Sequence, residues 1–389
     1  MVSAVTAHPG RVLVTDGEFK HTLGIVRALA ARGHEVHVIA SSARAPAVHS
    51  KAVRAWHLAP ASSAARYDER LLALALEFAP LSLIPVGNGA VAAVDRLRER
   101  LGPDVRFALP AREALATAND KAQTGALART LGIATPEERV VQDLAGARAA
   151  LAELGLPFVL KSAREEGRKV LRYVRGPDEL APAFEAVRAG SSGAVLAQRH
   201  VVGPGFGFSA LYWRGERVRA LVHRRVREWP PSGGTSACAE SVPDAPEIER
   251  AGEALLGALA WHGVAMVEFK GDPARGTMVL MEINAKFWGS HDLALAASVD
   301  LPGDLVALLE GETLGPQPPV PKVRLSWPLG GDLWHGLFKP SSLPAVIGDA
   351  LSPQVAHTFH AADPMPTVYE ALQWLRSGPG AWREFRSAR

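Results

Sequence analysis

The chain has 389 residues, 48% of them hydrophobic and 21% charged, which provides for two or three packed domains and argues against extended disorder. Its 43 basic and 40 acidic residues are interleaved and leave a net charge of only +3, so no nucleic-acid partner is expected. Cys238 is the single cysteine; this excludes an intrachain disulfide and a cysteine-based metal site, suits a cytoplasmic location, and is joined by the expectation of no secretory leader and no membrane span.

Residues 11–15 (RVLVT), the helix-like HTLGIVRALAARG and residues 35–39 (EVHVI) read as strand, helix, strand, with Gly33 at the helix C-cap. A further strand at 81–86 (LSLIPV) runs into Gly87-Asn88-Gly89 and a helix over 90–101, so a Rossmann-like parallel α/β domain is expected. From Ala111 one or two linker helices end at Gly132 and Pro136. PFVLKS (157–162), VLRYV (170–174), a helix over 178–188 and AVLAQRHV (194–201) then predict a compact α+β unit. Strands at 207–213, 216–223 and within MVEFKGDPARGTMVLMEIN predict a mostly antiparallel sheet, followed by a helix, a Pro-rich stretch at 315–322 and a tryptophan-containing tail that the pattern leaves unassigned.

The chemistry concentrates on the acidic hairpin. Glu282 and Asn284 are two apart on a strand and share a face, and Glu268 reaches that face from the neighbouring strand. Two carboxylates and one amide oxygen form a hard oxygen site that suits Mg²⁺ shared with nucleotide phosphates; solvent-facing acids on an edge hairpin are the structural alternative. Upstream, Lys161 closes an apolar strand and Lys121 starts a helix, positions from which two ammonium groups serve a triphosphate. Downstream of Val222, alternation of His223, Arg225 and Arg227 predicts one strongly basic strand face, able to bind a substrate carboxylate and an oxyanion, with a solvated strand face as the structural alternative. Cys238 and the FWGSH run at 287–291 read as packing.

The ordered motifs NDKAQTGALARTLGIATP, PFVLKS, VLAQRHVVGPGFGFSAL and VEFKGDPARGTMVLMEINAKFWGS resemble the ATP-grasp superfamily, in particular the carbamoyl-phosphate-synthase-like and biotin-carboxylase-like ligases, over about residues 11–309. The resemblance implies a Rossmann-like domain at 1–110, linker helices and a small subdomain at 111–200, a large subdomain at 201–314, and a C-terminal extension of open role at 315–389. It further implies that Lys121 and Lys161 contact phosphates, that the strand from Gln198 to Val201 hydrogen-bonds adenine, and that Glu268, Glu282 and Asn284 hold Mg²⁺, with Mn²⁺ as a substitute ion. The implied activity is ATP-dependent carboxylate–amine (or carboxylate–thiol) ligation through an acyl phosphate, with small-molecule partners, no membrane partner, and a homodimer as a compatible assembly. Arg225 and Lys286 are the candidates for reading the anionic substrate, Lys286 standing where many relatives have arginine. Two departures stand out. The loop after Lys161 reads SAREEGRK, offering the side chains of Arg164, Arg168 and Lys169 to the γ-phosphate in place of a glycine-rich backbone. The stretch Gly203-Pro204-Gly205-Phe206-Gly207 holds no glutamate for a ribose.

A nucleotide-sugar glycosyltransferase shares the opening strand–helix–strand but has no need of the acidic hairpin, and a catalytically inactive nucleotide-binding regulator is the other alternative. Thr15-Asp16-Gly17-Glu18 is not the dinucleotide fingerprint.

Overall fold

The computed structural model describes residues 10–164, 171–191, 194–272, 276–378 and 380–382. The first β-branched runs become β1 (Arg11–Val14), β2 (Glu35–Ala40), β3 (Ala55–Leu58), β4 (Leu81–Ile84) and β5 (Val105–Arg106), a parallel sheet in the order β3-β2-β1-β4-β5. Helices α1 (Lys20–Ala31), α2 (Tyr67–Glu77) and α3 (Asn88–Leu97) are its crossovers. Val12, Leu13 and Val14 are fully buried because helices cover both faces, as parallel sheets require. The strand order reverses between β1 and β4, and a crevice opens there beyond the carboxyl ends of the strands.

Helices α4 (Arg112–Asn119) and α5 (Lys121–Thr130) lead onward. Asp120 caps α5 by accepting from the backbone N–H groups of Ala122 and Gln123, each at 3.0 Å. The next four strands, β6 (Glu138–Val141), β7 (Phe158–Ser162), β8 (Leu171–Val174) and β9 (Val195–Arg199), form an antiparallel sheet in the order β6-β9-β7-β8. Phe158, Leu160 and Ala197 point into a core with Phe184 and Val187 from the covering helix. Alternation therefore turns Val159, Lys161 and Gln198 to the other face.

The third sheet has seven strands: β10 (Gly205–Trp213), β11 (Glu216–Trp229), β12 (Thr235–Ser241), β13 (Gly263–Asp272), β14 (Thr277–Asn284), β15 (Arg324–Ser326) and β16 (Val355–His357), in the order β14-β13-β10-β11-β12-β15-β16. Its first five strands are antiparallel neighbours, as expected, and the run to His223 and the alternation of His223, Arg225 and Arg227 beyond it form one strand, β11, that continues to Trp229. The tail that pattern left unassigned supplies β15 and β16, so the region after residue 315 is part of the large sheet. It then returns to the first domain: Arg27 pairs with Asp363 at 3.0 Å, and Tyr369 stacks on His49 with ring centroids 3.4 Å apart. Among the described residues no helix is long and apolar enough to cross a membrane.

Candidate active site

Two cavities meet on the large sheet. One, of about 1050 Å³, lies over the β1/β4 crevice and is lined by Asp16, Phe19, His21 and Asn88 from the first domain and by Asn284 and Lys286 from the large sheet side. The other, of about 390 Å³, lies between the four-stranded and seven-stranded sheets and is lined by Lys121, Lys161, Gln198, Val201 and Lys270. Arg225, Gly234, Thr235, Glu268 and Glu282 line both.

The shared wall is built by register. Glu268 on β13 stands directly opposite Glu282 on β14, and Met266 opposite Asn284. A bulge at Met281 leaves Glu282 and Asn284 on one face, and Asn284 Nδ2 lies 3.4 Å from Glu282 Oε1. The hairpin thus brings the three oxygen-bearing residues together. Among the described residues no group of three or more His, Cys, Asp or Glu side chains is arranged to hold a metal. Two carboxylates and one amide oxygen still fit Mg²⁺, which keeps waters and takes further oxygens from phosphates.

Each carboxylate has a cation beside it. Arg225 Nη2 donates to Glu268 Oε2 at 2.6 Å, and Nη1 donates to Glu228 Oε1 and to the Gly234 carbonyl, both at 3.1 Å. Burial works against the Arg225 charge, but Glu268 and Glu228 outweigh it and hold the guanidinium's pKa above its ordinary value. Lys121 Nζ lies 3.4 Å from Glu282 Oε2. Arg225 reaches Glu268 across β10 because that strand is glycine-rich there. A Cβ on Gly205 would stand 2.9 Å from Arg225 Cδ, and one on Gly207 2.3 Å from the His223 ring. The glycines that carry no ribose ligand thus have a steric role.

The expected basic face of β11 does not form. A bulge between Arg225 and Arg227 breaks the alternation. His223 is buried, and burial lowers its pKa to about 3, so it is neutral; its Nε2 lies 3.2 Å from Ser290 Oγ. Arg227 turns to the opposite face, where it donates to both carboxylate oxygens of Asp332 at 2.6 and 2.7 Å and to Asp349 at 2.7 Å. Arg225 alone of the three presents charge to the cavities.

In the smaller cavity, Lys161 Nζ donates to Gln198 Oε1 at 3.0 Å, and Gln198 Nε2 donates to Glu138 Oε2 at 2.9 Å. The strand expected from Gln198 to Val201 stops at Arg199, so Val201 lies beyond it. Gln198 is flanked by β6 and β7 on both sides, and its side chain holds Lys161. The Val201 carbonyl accepts from Lys270 Nζ at 3.2 Å. Lys169 and Arg168 lie outside the described residues; Arg164 pairs with Asp120 at 3.6 Å. Cys238 is fully buried, with its thiol pushed by burial up to about 12, which fits packing.

Sequence reasoning missed Glu138, Glu228 and Lys270, whose roles depend on cross-strand neighbours. It also missed the first-domain wall. Asp16, in the left-handed region at φ 56, accepts from Thr15 Oγ1 at 2.5 Å, Ser62 Oγ at 2.9 Å and the Gly87 N–H at 2.9 Å, tying the loops after β1, β3 and β4. Asp-Gly after an apolar strand was its one visible signal.

A parallel α/β domain, a small antiparallel sheet and a large one, with a cleft between the sheets, define the ATP-grasp fold. The chain has this fold. No protein-family model matches it. It is 24% identical over 265 residues to the 2-oxoglutarate carboxylase small subunit of Hydrogenobacter thermophilus, covering 63% of this chain and 55% of that protein. It is 35% identical over 98 residues to a D-alanine–D-alanine ligase of Pseudomonas fluorescens, covering 25% of this chain and 30% of that one. The chain thus spans about half or less of these relatives' length. The fold matches the crystal structure of the Hydrogenobacter thermophilus 2-oxoglutarate carboxylase biotin carboxylase domain dimer, in complex with MgADP, ADP and bicarbonate, with a TM-score of 0.65 and 19% identity over 80% of this chain and 72% of that one.

Proposed function

We propose that the protein is an ATP-dependent carboxylate–amine ligase, with nucleotide in the cavity between the two antiparallel sheets and the substrates in the cavity over the parallel sheet. The single observation that carries this is the shared wall: Arg225, Glu268 and Glu282 line both cavities, so a group at the end of a nucleotide in one faces a substrate in the other. The Mg²⁺- and nucleotide-bearing relative of the same fold supports the choice of ligand.

Mg·ATP would supply the phosphoryl group that converts a carboxylate into an acyl phosphate, with ADP leaving and phosphate released when the amine attacks. Glu268, Glu282 and Asn284 would hold the metal through oxygen. Lys161, kept in place by Gln198 and Glu138, offers its charge to phosphate from a buried strand end. Arg225 and Lys286 line the substrate cavity and bind the carboxylate. Arg225 presents a planar fork, whereas Lys286 is a point charge, so the two differ in the geometry they impose.

The test is release of ADP and phosphate from Mg·ATP over a panel of amino acids, hydroxy acids and small amines, with hydroxylamine added to capture an acyl phosphate as a hydroxamate. Release that requires both a carboxylate and Mg²⁺, with hydroxamate formed, is expected. Release with no carboxylate requirement would overturn the ligase assignment. In calorimetry, Lys161→Met is expected to weaken Mg·ATP binding; an unchanged dissociation constant would remove Lys161 from the site.

A further inference from the structure

The two carboxylates of the hairpin are each engaged by a cation, and the two cations come from different parts of the chain. Arg225 reaches Glu268 at 2.6 Å from β11, and Lys121 reaches Glu282 at 3.4 Å from the first residue of α5. All four side chains are mostly buried, with exposures of 10, 11, 10 and 15% in that order, so water and salt screen them weakly. Arg225 Nε is buried without a hydrogen-bond partner, so this donor is not satisfied by the arrangement the structure records. The glycines of β10 keep open the path along which the arginine lies.

We propose that Arg225 and Lys121 are placeholders for the metal, occupying the carboxylates of Glu268 and Glu282 until nucleotide arrives and thereby making metal entry depend on nucleotide. The inference rests on the ligase function proposed above. A divalent ion approaching alone must displace a guanidinium or an ammonium from a carboxylate in a weakly screened site, where like charges repel strongly. Nucleotide phosphates change the balance. They offer both cations new oxygen acceptors at the same wall, since Arg225 and Lys121 line the cavity between the sheets. The carboxylates then face the metal. The hand-over moves no bond and no proton; it exchanges one set of ion pairs for another.

The probe is Mn²⁺ alone, titrated into the full-length protein without nucleotide and followed by the electron paramagnetic resonance signal of free Mn²⁺. Wild type is expected to bind weakly, whereas Arg225→Met and Lys121→Met each bind at least tenfold more tightly, because a carboxylate has lost its resident cation. Lys121→Met changes only the first residue of a helix whose cap is Asp120, so it keeps the test alive should Arg225→Met fail to fold. Adding Glu282→Gln to Lys121→Met should return Mn²⁺ affinity to the wild-type value, which ties the gain to this hairpin. Unchanged or weaker Mn²⁺ binding in the folded single variants would overturn the placeholder role. Failure of the ligase assignment has a separate signature: wild type would then release ADP and phosphate with no carboxylate requirement, or not at all over the substrate panel, whatever Mn²⁺ does in the variants.

Discussion

Arg225 and Arg227 stand two residues apart on one strand, both with little side-chain exposure and both paired with two carboxylates, yet they serve different regions. Arg225 faces the wall between the two cavities, with partners Glu228 and Glu268, one of them a candidate metal ligand. Arg227 faces the C-terminal segment, with partners Asp332 and Asp349. The second region is a closed network: Arg324 pairs with both Asp349 and Glu240, and Glu240 also pairs with Arg224. The first borders space that a ligand can fill. Identical side-chain chemistry thus becomes a site or a staple according to which side of a bulge it falls on, because one extra residue reverses the face of everything after it.

The largest effect that separates the regions is expected at the wall. Glu282→Gln should lower ATP turnover about a thousandfold or more, roughly 4 kcal/mol in the barrier, by removing a charged metal ligand while the fold persists. Near-wild-type turnover in a steady-state assay would break the metal assignment.

On the other side of the bulge, Arg227→Met should cost stability instead. It leaves Asp332, whose side chain has 0% exposure, without its guanidinium, and breaking a buried pair in this way costs about 3–5 kcal/mol. Urea unfolding should read the loss directly. Nucleotide affinity measured well below the unfolding midpoint should stay unchanged; a selective loss of nucleotide binding with normal stability would erase the distinction.

Arg225→Met and Lys286→Met sharpen the comparison from the substrate side. Each lost charge-assisted hydrogen bond is worth about 1.5–3 kcal/mol, so kcat/KM for the carboxylate should fall at least tenfold. If carboxylate kinetics are normal in both variants at fixed ionic strength, the substrate pocket lies elsewhere.

The smallest effect concerns the packed floor behind the cavity over the parallel sheet. His291 is fully buried against Phe287 and Trp288, and burial lowers its pKa from 6.5 to about 3. Between those values the unfolded chain binds a proton that the folded chain does not, so stability falls as pH falls through that window and is unaffected by this residue above it. His291→Leu should flatten the acid side of the stability curve by up to one proton, about 1.4 kcal/mol per pH unit. Urea titrations from about pH 4 to about pH 7 with an unchanged slope would show that His291 does not drive it.

The parts legible in the sequence were those written in local periodicity. RVLVT, EVHVI and LSLIPV announced the parallel sheet because a strand covered on both faces must be apolar throughout. Glu282-x-Asn284 announced a shared face because side chains alternate along a strand, and Lys161 stood out as a charge closing an apolar run. The parts that were silent depend on neighbours far away in the chain. Alternation alone put His223, Arg225 and Arg227 on one face, and only the pairing of β11 with β12 showed the bulge that separates them. Nothing in the sequence around Gln198 showed that β6 and β7 would flank it or that its amide oxygen would accept from Lys161.

The sequence by itself determined the class of fold and the identity of the acidic hairpin, since both follow from residue type and spacing within single strands. Tertiary structure alone decided that the C-terminal tail completes the large sheet, that Gly205 and Gly207 clear a path for Arg225 and His223, and that one wall serves two cavities. The physical reason is that these depend on register and on contacts closed over hundreds of residues, where a strand's partner, and so the face its side chains present, is chosen by the whole packed core.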